Sequence, residues 1–173
     1  MLYFAYGSNM LHARLAARCP SADAIGRAEA PGFGIAFDKI GQDGSGKATL
    51  RQDSTEAAQG VLYEITPAEI ALLDKIEGVG RGYDRAEVAV RSQHAEIMAF
   101  SYIAAPAFRQ QGLLPFAWYR GLVLAGALEN DLPEAWVSKL AAQPYTEDPE
   151  PHRPRRIEAQ HLLAALPAEW RLG

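Results

Sequence analysis

Apolar residues fall in short bursts separated by glycine, proline and charge, and each burst carries a readable period. Residues 2–6 are apolar and aromatic and stop at Gly7-Ser8-Asn9, the pattern of a buried strand running into a tight turn. Met10, Leu11, Leu15 and Ala16 follow at helical spacing. A helix is therefore predicted over residues 10–18, with Ser8 or Asn9 as N-cap and Pro20 closing it. Residues 34–37 read as a strand, followed by a polar stretch with Gly41, Gly44 and Gly46, and residues 60–65 read as another. Thr66 and Pro67 open a second helix, with Glu69 at its third position and Ile70, Leu72, Leu73 and Ile76 as its apolar set. Gly78 and Gly80 end it, because glycine takes the left-handed cap without steric cost.

Residues 85–90 alternate Ala86, Val88 and Val90 with polar neighbours, and residues 97–103 form a second β-like run. An antiparallel pair joined around Ser92-Gln93-His94 is predicted. Residues 115–129 read as a helix with Trp118, Leu122, Ala125 and Leu128 near one face, and residues 133–142 as a shorter one. Prolines and charges make residues 144–156 look like a linker, and residues 157–166 suggest a terminal helix. The expectation is a mixed α/β domain over residues 1–145 with a Pro- and charge-rich extension over residues 146–173.

A length of 173 residues fits this single-domain reading. Hydrophobic residues at 49% and charged residues at 22% exclude a disordered, collagenous or coiled-coil chain. Seventeen Lys and Arg against 21 Asp and Glu give a net charge of −4, without the footprint of a nucleic-acid binder. One cysteine, Cys19, rules out an intrachain disulfide or a Cys-based zinc site and fits a reducing, cytoplasmic setting. The N-terminus lacks the basic segment of a signal peptide, and no run reaches the ~20 apolar residues of a membrane span. A soluble protein is expected.

Most candidate chemistry has a plain alternative. Residues 41–47 match the first seven positions of a phosphate-binding loop, but Ala48 stands where Ser or Thr must hold magnesium, so a flexible polar loop is expected. The four histidines lack paired metal-ligand spacing. Ser8 lacks the flanking glycine of a nucleophile elbow. Cys19 reads as a packed small hydrophobe, and Arg153, Arg155 and Arg156 as a solvated face.

Two features stand out. Backbone N–H groups of the Gly7-Ser8-Asn9 turn, at the start of a helix, suit a carboxylate, with a plain capped turn as the alternative. Glu77 occupies the last turn of its predicted helix. The helix end disfavours its charged form, and burial would add to that, suiting it to accept a proton. An exposed helix-end glutamate is the alternative.

Together these segments resemble the γ-glutamylcyclotransferase family, also called AIG2-like. The resemblance is carried by Tyr3-Phe4-Ala5-Tyr6-Gly7-Ser8-Asn9-Met10 with Arg14 following, and by Leu73-Asp74-Lys75-Ile76-Glu77-Gly78-Val79 leading to Tyr83. It continues through Ser101-Tyr102 and through Tyr119 to Gly126-Ala127-Leu128-Glu129-Asn130-Asp131-Leu132-Pro133. It covers residues 1 to about 142 and not the tail. It implies an α+β fold around a small, barrel-like, mostly antiparallel sheet with flanking helices, and neither metal nor organic cofactor. Glu77 is implied as the catalytic residue. Tyr3, Phe4, Ala5, Tyr6, Gly7 and Ser8, with Asn9 adjoining, are implied as the substrate loop, and Tyr83, Tyr102 and Tyr119 as pocket hydroxyls. The partner implied is a small γ-glutamyl compound, with no nucleic acid and no membrane. Its α-amine attacks its own γ-carbonyl, releasing 5-oxoproline and an amino acid or amine. A non-catalytic carboxylate-binding module with the same fold is the alternative.

Overall fold

The computed structural model describes residues 1–93 and 95–170. Five strands close into a barrel in the order β1-β3-β2-β4-β5. They are β1 (Leu2–Ala5), β2 (Asp23–Ile40), β3 (Gly46–Glu64), β4 (Tyr83–Ser92) and β5 (Glu96–Ala104). Every pairing is antiparallel except β1 with β5, which meet in parallel at Tyr3 and Phe100. The implied barrel-like, mostly antiparallel sheet is therefore present, with helices around it.

β2 and β3 form one long hairpin of which the sequence pattern reveals only fragments. Gly26 and Gly32 take positive φ on β2, and register shifts fall beside both. On β3, residues 53–56 leave the ladder as a bulge, so that Phe33 pairs with both Gln52 and Ala57. Asp53 folds this bulge by accepting from the backbone N–H and the hydroxyl of Thr55. Such interruptions erase a two-residue period.

Of the residues expected to form a polar loop, 41–45 are the turn of the β2–β3 hairpin and Gly46 and Lys47 already belong to β3. Gly41 N–H donates to the Ser45 carbonyl, and Gly44 takes φ +78°. The expected junction of β4 and β5 includes His94, which lies outside the described residues.

The helices are α1 (His12–Ala16), α2 (Pro67–Glu77), α3 (Ala117–Glu129), α4 (Glu134–Ala141) and α5 (Pro154–Ala164). The helix expected over residues 10–18 is shorter, because Ser8–Met10 is a 3₁₀ turn and Leu11 stands at the N-cap without a side-chain cap. Instead Glu129 accepts the N–H of His12 at 2.7 Å, a cap supplied from α3. Thr66 makes no cap bond either, and Glu69 accepts from Ser21 rather than closing a box with it. Leu72, expected in the apolar set of α2, is exposed, while Ile70 and Leu73 are buried. Gly78 ends α2 in the left-handed conformation at φ +73°, as expected.

α3 is buried over every residue from Trp118 to Ala127, not along one face. Gly126 allows the closest approach, since a Cβ there would lie 2.5 Å from the Leu11 nitrogen and 2.7 Å from Met10 Cβ. The Met10 carbonyl accepts from Tyr63 Oη at 2.7 Å and Asn130 Nδ2 at 3.1 Å. The Gly126 to Asn130 segment thus pins the turn that follows β1.

The expected linker strip is anchored. Asp148 is buried and accepts from Trp118 Nε1 at 2.9 Å, Arg153 Nε at 2.8 Å and the Glu150 N–H at 3.0 Å. Ala159 of α5 is fully buried, and Arg14 pairs with Glu158 at 3.2 Å. Among the described residues no helix is long and apolar enough to cross a membrane.

Candidate active site

Glu77 ends α2 beside the turn after β1, and its side chain is 17% exposed. Asn9 Nδ2 and Arg18 both donate to its Oε1 at 3.0 Å. Oε2 has no hydrogen-bond partner among the described residues. Arg18 also donates to Asn9 Oδ1 at 2.9 Å, which closes a triangle of Asn9, Arg18 and Glu77. This guanidinium arrives from 59 positions away in the chain, where no local pattern announces it.

Two adjoining cavities share Ser8, Glu77, Tyr83 and Tyr119 in their walls. The inner chamber is small, about 30 Å³, and is lined also by Tyr3, Tyr6, Gly7, Asn9, Ala48 and Tyr102. The outer cavity measures about 380 Å³, within the usual range for small-molecule sites.

Eight of the ten residues assigned from the sequence to substrate binding line the inner chamber, together with Glu77. Phe4 and Ala5 do not. Strand alternation turns Phe4 away from Tyr3, and its ring covers Gly60, where a Cβ would lie 2.7 Å from Phe4 Cε2. Ala5 is buried in the barrel wall. The two belong to the packing that holds the loop.

The chamber tyrosines differ in what their hydroxyls do. Tyr6 donates to the Tyr102 carbonyl, Tyr83 to the Ala48 carbonyl at 2.7 Å, and Tyr102 to Asp74 Oδ1 at 2.8 Å. Tyr3 and Tyr119 instead accept, from Asn9 Nδ2 at 3.0 Å and from the Ala48 N–H at 3.1 Å. A tyrosine that accepts keeps its own proton to give. Burial first, and then the charge of Glu77, holds the Tyr3 phenol well above its ordinary value. Burial also raises Tyr119, against a lowering contribution from the Ala48 N–H. Both stay protonated donors.

The outer cavity is strongly basic, with seven Lys and Arg against Glu77 alone. Arg14, buried between Ser8 and Glu158, is lowered to about 10 by burial and by the neighbouring Arg18. Lys47 lies 2.8 Å from Asp43, with the rings of Trp118 and Tyr119 under 5 Å away. These basic residues are the part of the site that the sequence reading missed. In the sequence Lys47 reads as part of the phosphate-loop pattern and Arg155 as one of the solvated arginines. No local spacing marks Arg18 or Lys39.

A γ-glutamylcyclotransferase of mouse is 33% identical over 148 residues, spanning 82% of this chain and 77% of the mouse protein. The human γ-glutamylcyclotransferase is 34% identical over the same length and shares. The chain belongs to the γ-glutamylcyclotransferase family. The profile of the AIG2-like family matches residues 58–140, which include Glu77, Tyr83, Tyr102 and Tyr119. A solved structure of a γ-glutamyl cyclotransferase superposes with a TM-score of 0.83 at 29% identity, over 93% of this chain and 98% of that one. The structural likeness thus spans nearly the whole chain, and the sequence relationship about four-fifths of it.

Proposed function

We propose that this protein is a γ-glutamylcyclotransferase in which Glu77 is the general base and acid. The observation that carries the reading is the free Oε2 of Glu77, at the wall of a tyrosine-lined chamber, while Oε1 is held by Asn9 and Arg18. A carboxylate fixed by one oxygen presents the other in a single direction, which suits proton transfer.

The γ-glutamyl head lies where the two cavities meet, beside Ser8, Glu77, Tyr83 and Tyr119, since the inner chamber alone has room for little more than a water or two, and it folds there so that its α-nitrogen faces its own γ-carbonyl. The backbone of the Gly7-Ser8-Asn9 turn holds the α-carboxylate. The helix behind this turn has only five residues, so the backbone N–H groups carry the contact, with little help from a dipole. Oε2 takes a proton from the α-ammonium, and the freed amine attacks the γ-carbon. Tyr3 and Tyr119 donate to the carbonyl oxygen as charge builds there.

Glu77 gives its proton to the leaving nitrogen as the amide C–N bond breaks, takes the surplus proton from the ring nitrogen, and passes it to the freed amine, which returns Glu77 to its ionised form. Two protons thus pass from the α-nitrogen to the departing amine, and the products are 5-oxoproline and a protonated amine. The nucleophile is built into the substrate, so no activated water or enzyme nucleophile is required.

Incubation with a panel of γ-glutamyl dipeptides tests this reading through the product. The account predicts 5-oxoproline and the free amino acid. Free glutamate would mean hydrolysis and would overturn it.

A further inference from the structure

The outer cavity holds more positive charge than the γ-glutamyl head can use. Arg14, Arg18 and Lys47 are each matched by a carboxylate, from Glu158, Glu77 and Asp43. Lys39, Lys75, Arg81 and Arg155 line the same cavity and pair with no carboxylate among the described residues. Lys75, Arg81 and Arg155 are exposed, so water screens them. Lys39 is not, since only 8% of it is exposed.

Lys39 is held open to the cavity at an energetic cost. It sits directly across the β2–β3 hairpin from Lys47, and like charges at register partners repel. Its Nζ lies 4.9 Å from the centre of the Tyr83 ring. The chain passes beneath it as Gly82, where a Cβ would come within 3.1 Å of both Cε and Nζ. No carboxylate among the described residues reaches it as an ion pair, and Glu77 and Asp43, both held by other cations, act on it only from a distance. Arg155, at the start of α5, adds charge from the opposite rim and acts on both Lys39 and Lys47. A largely buried ammonium with no paired carboxylate, whose two nearby carboxylates are already committed to Arg18 and Lys47, and with a second cation across strands and a third on the rim, favours an anion from outside.

We propose that the outer cavity binds the leaving half of the substrate, and that this half carries at least two negative charges, as in γ-glutamyl-glutamate or γ-glutamyl-aspartate. The inference rests on the cyclotransferase reading and adds the substrate class. The α-carboxylate of a neutral leaving amino acid would answer one of the unmatched cations. A side-chain carboxylate gives the buried Lys39 its counter-ion, while the α-carboxylate meets Arg155 and the exposed basic rim.

The test compares γ-glutamyl-glutamate with its neutral isostere γ-glutamyl-glutamine, which differ only in that charge. The expected result is a kcat/KM at least about tenfold higher for the acidic dipeptide, the size of one charge-assisted contact, and shrinking with added salt. In Lys39→Met and in Arg155→Gln the ratio falls toward one. Equal turnover of the two dipeptides in the native protein would overturn the substrate class and leave the cyclotransferase reading standing. Calorimetry on the Glu77→Gln variant separates the two claims, because it reads affinity without turnover. Tighter binding of the acidic dipeptide supports the inference, and equal binding overturns it, whether or not 5-oxoproline forms in the native protein.

Discussion

Arg18 donates to one oxygen of Glu77 at 3.0 Å, and the other has no partner among the described residues. The same Nη1 reaches Asn9 Oδ1, so one guanidinium ties the turn after β1 to the end of α2. Arg18 is therefore a positioning residue, acting through the carboxylate it aims. Replacing it with Met is expected to lower kcat by about ten- to a hundredfold, since small errors in placement are costly to a near-attack geometry. KM should move much less. The melting temperature should fall as well, because the pair is mostly buried and Met leaves Glu77 without its counter-charge. A change confined to KM or to stability would contradict this role.

The division among the tyrosines makes a second prediction. Tyr3→Phe and Tyr119→Phe each remove a hydroxyl whose proton is free, and each should cost about a hundredfold in kcat. Tyr119→Phe also strips the buried Ala48 N–H of its acceptor, at about 1–3 kcal/mol of stability. Tyr83→Phe and Tyr102→Phe lose protons already committed to Ala48 and Asp74, so their kcat should stay much closer to native. Steady-state kinetics with paired melting curves on the four variants checks this.

Much of this was legible along the chain because it is set locally. The stop at Gly7, the left-handed cap at Gly78 and the alternation in β4 are each decided by neighbours within a few residues. The β2–β3 hairpin was read only at residues 34–37 and 60–65, because bulges and positive-φ glycines break its period. The capping roles expected of Ser8, Asn9 and Thr66 failed for a different reason. Glu129 and Ser21, distant in sequence, offer those N–H groups and carboxylates better partners. Arg18 with Glu77 and Trp118 with Asp148 are likewise tertiary pairs, which no local pattern announces.

Asp148 latches the tail, and its charge is linked to pH. Burial pushes its carboxyl up, but Arg153, the Glu150 N–H and Trp118 outweigh that and hold it at about 2 against an ordinary 3.8. A depressed carboxyl stabilises the fold above its unfolded value, and that contribution is lost as pH falls through the folded one. Acid should therefore release α5 as pH drops from about 3.8 toward 2. Asp148→Asn should loosen it already at neutral pH, by about 1–3 kcal/mol, and flatten the acid dependence. Hydrogen exchange over residues 154–164 reads both effects. Unchanged protection in the variant would refute the latch.

Lys47 couples pH to the outer cavity. Burial lowers it to about 8 from 10.5, with Arg155 and Lys39 adding to the effect and Asp43 opposing it. Between those two values the folded chain binds fewer protons than the unfolded one, so this group makes stability rise with pH. Binding of an anionic substrate moves the other way, because the cavity loses a positive charge. KM for γ-glutamyl-glutamate should rise as pH passes about 8, with no accompanying loss of melting temperature below about 10, where unfolded tyrosines begin to ionise. A KM that is flat across this range would contradict the role of Lys47.

The most direct measurement is the rate of 5-oxoproline formation by Glu77→Gln at saturating γ-glutamyl dipeptide. Glutamine keeps the shape at the end of α2 but cannot accept the ammonium proton. The account predicts a native melting temperature, retained substrate binding and a loss of turnover of at least about a thousandfold. Turnover within a few fold of native in a folded variant would contradict the assignment of Glu77 as the base.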